Sequence, residues 1–170
     1  VDVEGASHPL RVQKTVILEP GSREMVVDYR LESLPGVPLH FGVEFNLAAL
    51  PAGADDRYFL DGNGHRLGQL QTTLDLHGTR SLSLVDEWQG IEVGIHVSRA
   101  AGFWTCPIAT VSQSEGGFEL VHQNVCVVPH WHIPAEVDHF AVCIRLMLDT
   151  SRGESRRSAE EAESLETTKA

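Results

Sequence analysis

The sequence predicts an all-β fold, an antiparallel sandwich of two sheets, and three observations predict it. Apolar and polar residues alternate with period two along most of the first 150 positions. Clusters of Gly, Pro, Asn and Asp separate these runs at hairpin spacing. No 3.6-residue apolar stripe lies between them to supply a covering helix. Strands with one greasy face each then need a second sheet over that face.

The alternation is explicit in four segments. Met25, Val27, Tyr29 and Leu31 share one face opposite Glu24, Asp28 and Arg30, with Val26 the apolar exception. Phe41, Val43, Phe45 and Leu47 repeat the pattern, as do Ile91, Val93, Ile95 and Val97. Phe140, Val142, Ile144, Leu146 and Leu148 form the cleanest apolar face. Further strands are expected near 11–18, 80–85, 102–110 and 117–128. Glu19-Pro-Gly-Ser22, Leu34-Pro-Gly36, Asp61-Gly-Asn-Gly64, Gln89-Gly90 and Glu115-Gly-Gly117 supply the turns. The span from Ala48 to Thr79 reads as the least regular part, a functional or packing loop. Its Asp55-Asp-Arg57 cluster reads as a solvated turn in preference to a calcium site.

At 170 residues the chain fits one domain, placed at 1–150, with a charged tail at 151–170 that reads as disordered or as a frayed helix after the capping-box match Ser158-Ala-Glu-Glu161. Thirteen Lys and Arg against 24 Asp and Glu give a net charge of −11, which disfavours nucleic acid and anionic membranes as partners. The tail is nearly charge-balanced, so the body itself is acidic. Cys106, Cys126 and Cys143 show no metal or disulfide spacing and read as reduced, buried thiols. With no leader, no long apolar span and no N-glycosylation sequon at Asn46, Asn63 or Asn124, a cytoplasmic location is expected.

The chemistry concentrates in Val111-Ser-Gln-Ser-Glu-Gly-Gly-Phe-Glu-Leu-Val-His-Gln123, which joins a run holding Trp104 to one ending Pro129-His130-Trp131. Aromatic faces for C–H packing together with forked hydrogen-bonding side chains suit a sugar. The candidate carbohydrate contacts are Glu87, Trp88, Gln113, Glu115, His130 and Trp131, with Trp88 foremost because it precedes the Gln89-Gly90 turn. Glu44 and Asn46 share a strand face and are secondary candidates. No catalytic residue, no cofactor and no metal is expected. Glu44, Asp86, Glu87 and Glu115 are scattered over different strands and turns, whereas retaining glycoside hydrolysis needs two carboxyl groups about 5 Å apart. His130 and His132, joined by His122 or His139, would be the alternative metal ligands, but Pro129 and Pro134 bracket the pair and no carboxylate lies at a ligand spacing.

Leu10-Arg-Val-Gln-Lys-Thr15, Phe41-Gly-Val-Glu-Phe-Asn-Leu47, Arg80-Ser-Leu-Ser-Leu-Val-Asp-Glu-Trp88, Val111-Ser-Gln-Ser-Glu-Gly-Gly-Phe118 and Pro129-His-Trp131 occur in an order that resembles the C-terminal β-sandwich of glycoside hydrolase family 57, the α-amylase and 4-α-glucanotransferase group. The resemblance runs from about Leu10 to Asp149. It implies a galactose-mutarotase-like supersandwich packed on an N-terminal catalytic barrel, with α-glucan or maltooligosaccharide as the substrate of the whole enzyme. The barrel, which holds the family's paired carboxylates, is absent from this sequence, as is the segment that usually precedes Leu10. The isolated chain is therefore expected to be inactive, to buttress the barrel and to help form its cleft; self-association stays open. Two alternatives remain: a stand-alone carbohydrate-binding module, and an aldose 1-epimerase-like enzyme using a histidine acid and a glutamate base. For the latter, Glu92 and His96 stand about 13 Å apart along one strand at 3.3 Å per residue, too far for one anomeric centre, whereas His122 with Glu115 stays open.

Overall fold

The computed structural model describes residues 2–3, 5–48, 52–114 and 117–151. Its strands are β1 Asp2–Val3, β2 Ala6–Ser7, β3 Arg11–Leu18, β4 Glu24–Glu32, β5 Leu39–Gly42, β6 Phe45–Leu47, β7 Arg57–Asp61, β8 Arg66–Gln69, β9 Leu74–Asp86, β10 Ile91–Ser114, β11 Gly117–Ile133 and β12 His139–Asp149. β1 and β2 pair only with each other, and the other ten form one sheet in which each pairing is antiparallel.

That sheet becomes a sandwich because one strand serves two layers. β10 keeps β9 along one edge for most of its length. Its other edge is divided: Glu92–Val97 pairs with β12, whereas Gly102–Ser114 pairs with β11. Register shifts between His96, Ala101 and Phe103 mark the division, where extra residues bend the strand. From there one leaf continues through β12, β4 and β3, and the other through β11 to β5 and β6. The leaves face each other: Tyr29 on β4 meets Phe41 on β5 at 5.5 Å between ring centroids, and Phe140 on β12 meets Trp131 on β11 at 5.9 Å. The fold is thus all-β and sandwich-like, but its two layers are leaves of a continuous ladder rather than separate sheets.

The expected core faces pack between the leaves. Val27 and Leu31, Ile95 and Val97, and Phe140, Val142 and Ile144 are buried, joined by Phe59, Phe103, Val125 and Val127. Full burial of each such side chain contributes about 1.5–3 kcal/mol before entropy is subtracted. The turns close as the sequence indicates: Ser22 N donates to Glu19 O, Gly64 N to Asp61 O and Gly90 N to Glu87 O, at 3.1, 3.0 and 3.2 Å.

Two expectations need correction. Residues 48–79 are not mainly loop, because they hold β7, β8 and the start of β9. In β7, Arg57, Tyr58 and Phe59 are all buried, so period-two alternation is missing from a strand that is dry on both faces. The strand expected over 41–47 is also broken between β5 and β6. There Val43 N leaves the regular ladder and donates to Pro129 O at 3.0 Å. The expected tail falls, after Ser151, outside the described residues.

Candidate functional site: an indole-bearing turn and an imidazole cluster

The β9–β10 turn presents Glu87 and Trp88. Its base is Asp86, a buried carboxylate that accepts from Arg57 Nε at 3.0 Å and from Gln89 N at 2.9 Å. Glu87 N donates to Asp56 O at 2.9 Å, and Tyr58 hydroxyl donates to Glu87 Oε1 at 2.7 Å. With its backbone tied on both sides, the turn holds the Trp88 indole 70% exposed. An exposed indole on a turn with a tied backbone is a flat apolar surface open to contact. Arg57, expected in a solvated turn, is instead buried at the start of β7, where it pairs with Asp86 29 residues away. The Asp55-Asp56-Arg57 segment is a hydrogen-bonded turn: Asp56 pairs with Arg57 at 2.9 Å, and Asp55 Oδ1 accepts from Gln69 at 2.6 Å.

The second group lies on the outer face of the β11 leaf. β11 runs without interruption through Pro129, so His130 and His132 share a face, and register places His40 of β5 opposite His132. His40 Nε2 and His130 Nδ1 are 2.8 Å apart, and the His40 and His132 rings stack at 4.2 Å. On β10, Gly102 lies opposite His130, and a Cβ there would stand only 2.3 Å from His130 Cε1. The Trp104 indole packs 4.0 Å from the same imidazole and donates through Nε1 to Asp75 Oδ1 at 3.0 Å. His77 Nε2 is 3.6 Å from that carboxylate. His130 is 3% exposed, and its Nε2 has no hydrogen-bond partner. Burial holds the His130 pKa below the ordinary 6.5, reinforced by the neighbouring His40 and His132. A neutral imidazole keeps a lone pair for a hydrogen bond or an ion.

The six sugar candidates therefore do not form one rim. Glu87 and Trp88 follow Asp86 at one end of β9, whereas His130 and Trp104 lie beside its other end at Asp75. These ends are separated by up to roughly 35 Å of extended chain. Gln113 is exposed on the β10–β11 hairpin opposite Phe118, and Glu115 lies outside the described residues. Trp131 must be withdrawn from the surface. It shares strand parity with Val125, Val127 and Ile133, is 5% exposed, and packs against Phe41 and Phe140 while its Nε1 donates to Arg99 O at 3.4 Å. That parity is the signal that could have placed it inside.

The other candidates separate as well. Glu44 accepts from Asn46 at 2.7 Å, so these two do meet on the surface. His139 is bound instead to Asp138, and His122 lies opposite Ala109 on the hairpin; neither joins His130. Pro129, which brackets the pair, is an ordinary position of β11. The thiols differ: Cys106 is exposed, Cys126 is buried and Cys143 half-buried. Burial, then the charges of Cys106 and Glu44, push the Cys126 pKa up to about 11. No helix among the described residues is long and apolar enough to cross a membrane.

Fold and surface together define an all-β, sandwich-like domain that carries one exposed indole on a braced turn and one imidazole cluster. The chain belongs to the alpha-amylase/4-alpha-glucanotransferase C-terminal domain family, whose model matches residues 2–144. It is 30% identical over 131 residues to alpha-amylase 1 of Dictyoglomus thermophilum, an alignment covering 73% of this chain and 18% of that protein. It superposes on the 4-alpha-glucanotransferase of Thermococcus litoralis with a TM-score of 0.61 at 23% identity, covering 86% of this chain and 19% of the other. The chain thus spans about a fifth of the length of each.

Proposed function

We propose that this chain is the non-catalytic C-terminal sandwich of a glycoside hydrolase family 57 enzyme that hydrolyses or disproportionates α-1,4-glucan, where it buttresses the catalytic barrel and walls part of the carbohydrate cleft. The observation that carries this reading is an inner sheet face left without a cover. Val12, Val16 and Leu18 of β3 lie opposite Leu31, Val27 and Met25 of β4, so they continue the face that elsewhere forms the core. Yet they are 51%, 53% and 67% exposed, because the β11–β5 leaf does not reach beneath β3. Lys14 shares that face, its Nζ over the Tyr29 ring, but a largely apolar strip in line with a core suits a permanent neighbour, and the barrel is the neighbour the family supplies. Glu87 and Trp88 are the glucan contacts this reading favours; Gln113 lies at the opposite end of β10.

The test uses maltooligosaccharide turnover by the chain alone and by the barrel-containing polypeptide. The chain alone is expected to be inert, and Val12→Glu/Val16→Glu to lower the melting temperature of the larger polypeptide much more than that of the isolated chain. Trp88→Ala is expected to raise KM in the larger polypeptide about five- to tenfold with kcat little changed, the loss of roughly 1–1.4 kcal/mol of ring stacking. Turnover by the isolated chain, or accelerated mutarotation of fresh α-glucose, would overturn the assignment.

A further inference from the structure

His40, His130 and His132 form the one group of metal-ligating side chains that converges among the described residues. One nitrogen from each ring lies within 4.8 Å of the other two. The arrangement has a fixed member and two adjustable ones. His130 is held between the bare backbone of Gly102 and the Trp104 indole, with Nδ1 turned towards His40. His40 and His132 are exposed, so their rings can rotate and the cluster is open to solvent. Tetrahedral coordination at metal–nitrogen distances of 2.0–2.1 Å separates ligand nitrogens by roughly 3.3 Å. The His40–His130 pair at 2.8 Å must open slightly and His132 must swing in, and both movements fall to the two exposed rings. A metal would replace the His40–His130 hydrogen bond, and the Asp75 carboxylate beside Trp104 is engaged by the indole N–H. Ligation through His130 Nδ1 places the ring proton on Nε2, the atom beside Gly102 that has no partner.

We infer that these three histidines bind one divalent transition ion of the zinc and copper class, with the remaining coordination positions open to water or an added ligand. An all-imidazole set of three suits zinc(II), copper(II) or nickel(II) and disfavours the oxygen-seeking calcium and magnesium. The ion ties β5 to β11 at the edge of the narrower leaf. This inference stands apart from the glucan reading, since it involves neither Trp88 nor the exposed face of β3.

The experiment uses the full chain, freed of any affinity tag and of bound metal by a chelator. Zinc(II) is titrated by calorimetry and by competition with a chromogenic chelator; copper(II) is followed by indole quenching, to which Trp104 is adjacent, and by the nitrogen splitting of its electron paramagnetic resonance. The expected result is one ion per chain, nitrogen splitting from imidazole, and affinity weakened about tenfold or more in each of His40→Asn and His132→Asn, exposed positions where circular dichroism should show the fold retained. Cys106→Ser should bind as the parent does. Absence of saturable binding at micromolar zinc and copper would overturn the inference. So would binding retained by the His40→Asn/His132→Asn double variant, or binding lost in Cys106→Ser.

Discussion

Asp86→Asn should destabilise the fold by about 3 kcal/mol, a cost fixed by what the substitution leaves behind rather than by the bond it removes. The Arg57 and Asp86 side chains are 7% and 8% exposed and meet at 3.0 Å across the β7–β9 ladder. Breaking a buried pair by neutralising one member typically costs about 3–5 kcal/mol, because the survivor keeps its charge out of water. Here the surviving guanidinium retains Asp56 at 2.9 Å, a carboxylate itself 36% exposed, which places the loss at the lower end of that range. A domain of this size loses roughly 2–4 °C of Tm per kcal/mol, so thermal unfolding by circular dichroism should show a fall of about 6–12 °C. The double variant Arg57→Met/Asp86→Leu should recover most of it, falling short of the parent by about 1 kcal/mol for the Gln89 amide that loses its acceptor. By contrast, Arg11→Ala, which breaks the exposed Arg11–Glu32 pair, should change stability by less than about 0.5 kcal/mol. The reasoning fails if Asp86→Asn costs under about 1 kcal/mol, or if the double variant is as unstable as the sum of the singles.

Gly102→Ala puts a methyl 2.3 Å from His130 Cε1 and should cost about 1–3 kcal/mol, most of it recovered in Gly102→Ala/His130→Ala; denaturant midpoints for the four chains would show whether the two positions couple. The depressed His130 pKa predicts a pH dependence with a definite sign. The unfolded chain protonates this residue near 6.5 while the folded chain still resists, so stability falls as pH drops through that value and levels off below the folded pKa. His130→Asn should remove that part of the slope in urea midpoints measured against pH, and an unchanged slope would rule it out. Iodoacetamide at about pH 8 should label exposed Cys106 first; with a pKa near 11, only about one Cys126 in a thousand is thiolate there. Peptide mass spectrometry showing Cys126 labelled fastest would contradict its burial.

What the sequence revealed depended on whether a residue's neighbours could be inferred from its own strand. β4, the first part of β10 and β12 were legible because one side of each is wet and the other dry, so hydropathy alternates with the pleat. β7 was illegible for the opposite reason: where Arg57 and Tyr58 are as buried as Phe59, both faces are paired or packed and no period survives. The same distinction separates the tryptophans. Trp88 is exposed because it sits in a turn, and the turn is written in Gln89-Gly90. Trp131 is buried because of its parity with Val125, Val127 and Ile133, a pattern that was available but outweighed by the polar residues around it.

The imidazole cluster depends on a third kind of information. His130 and His132 could be seen to share a face, but His40 is 90 positions from His130, and it arrives there only because β5 pairs with the far edge of β11. β11 has that edge free because its other edge pairs with β10, while β12 takes the Glu92–Val97 part of the same β10 edge. The position of one histidine is thus set by a pairing between strands some ninety positions apart, which no alternation of polar and apolar residues along either strand announces.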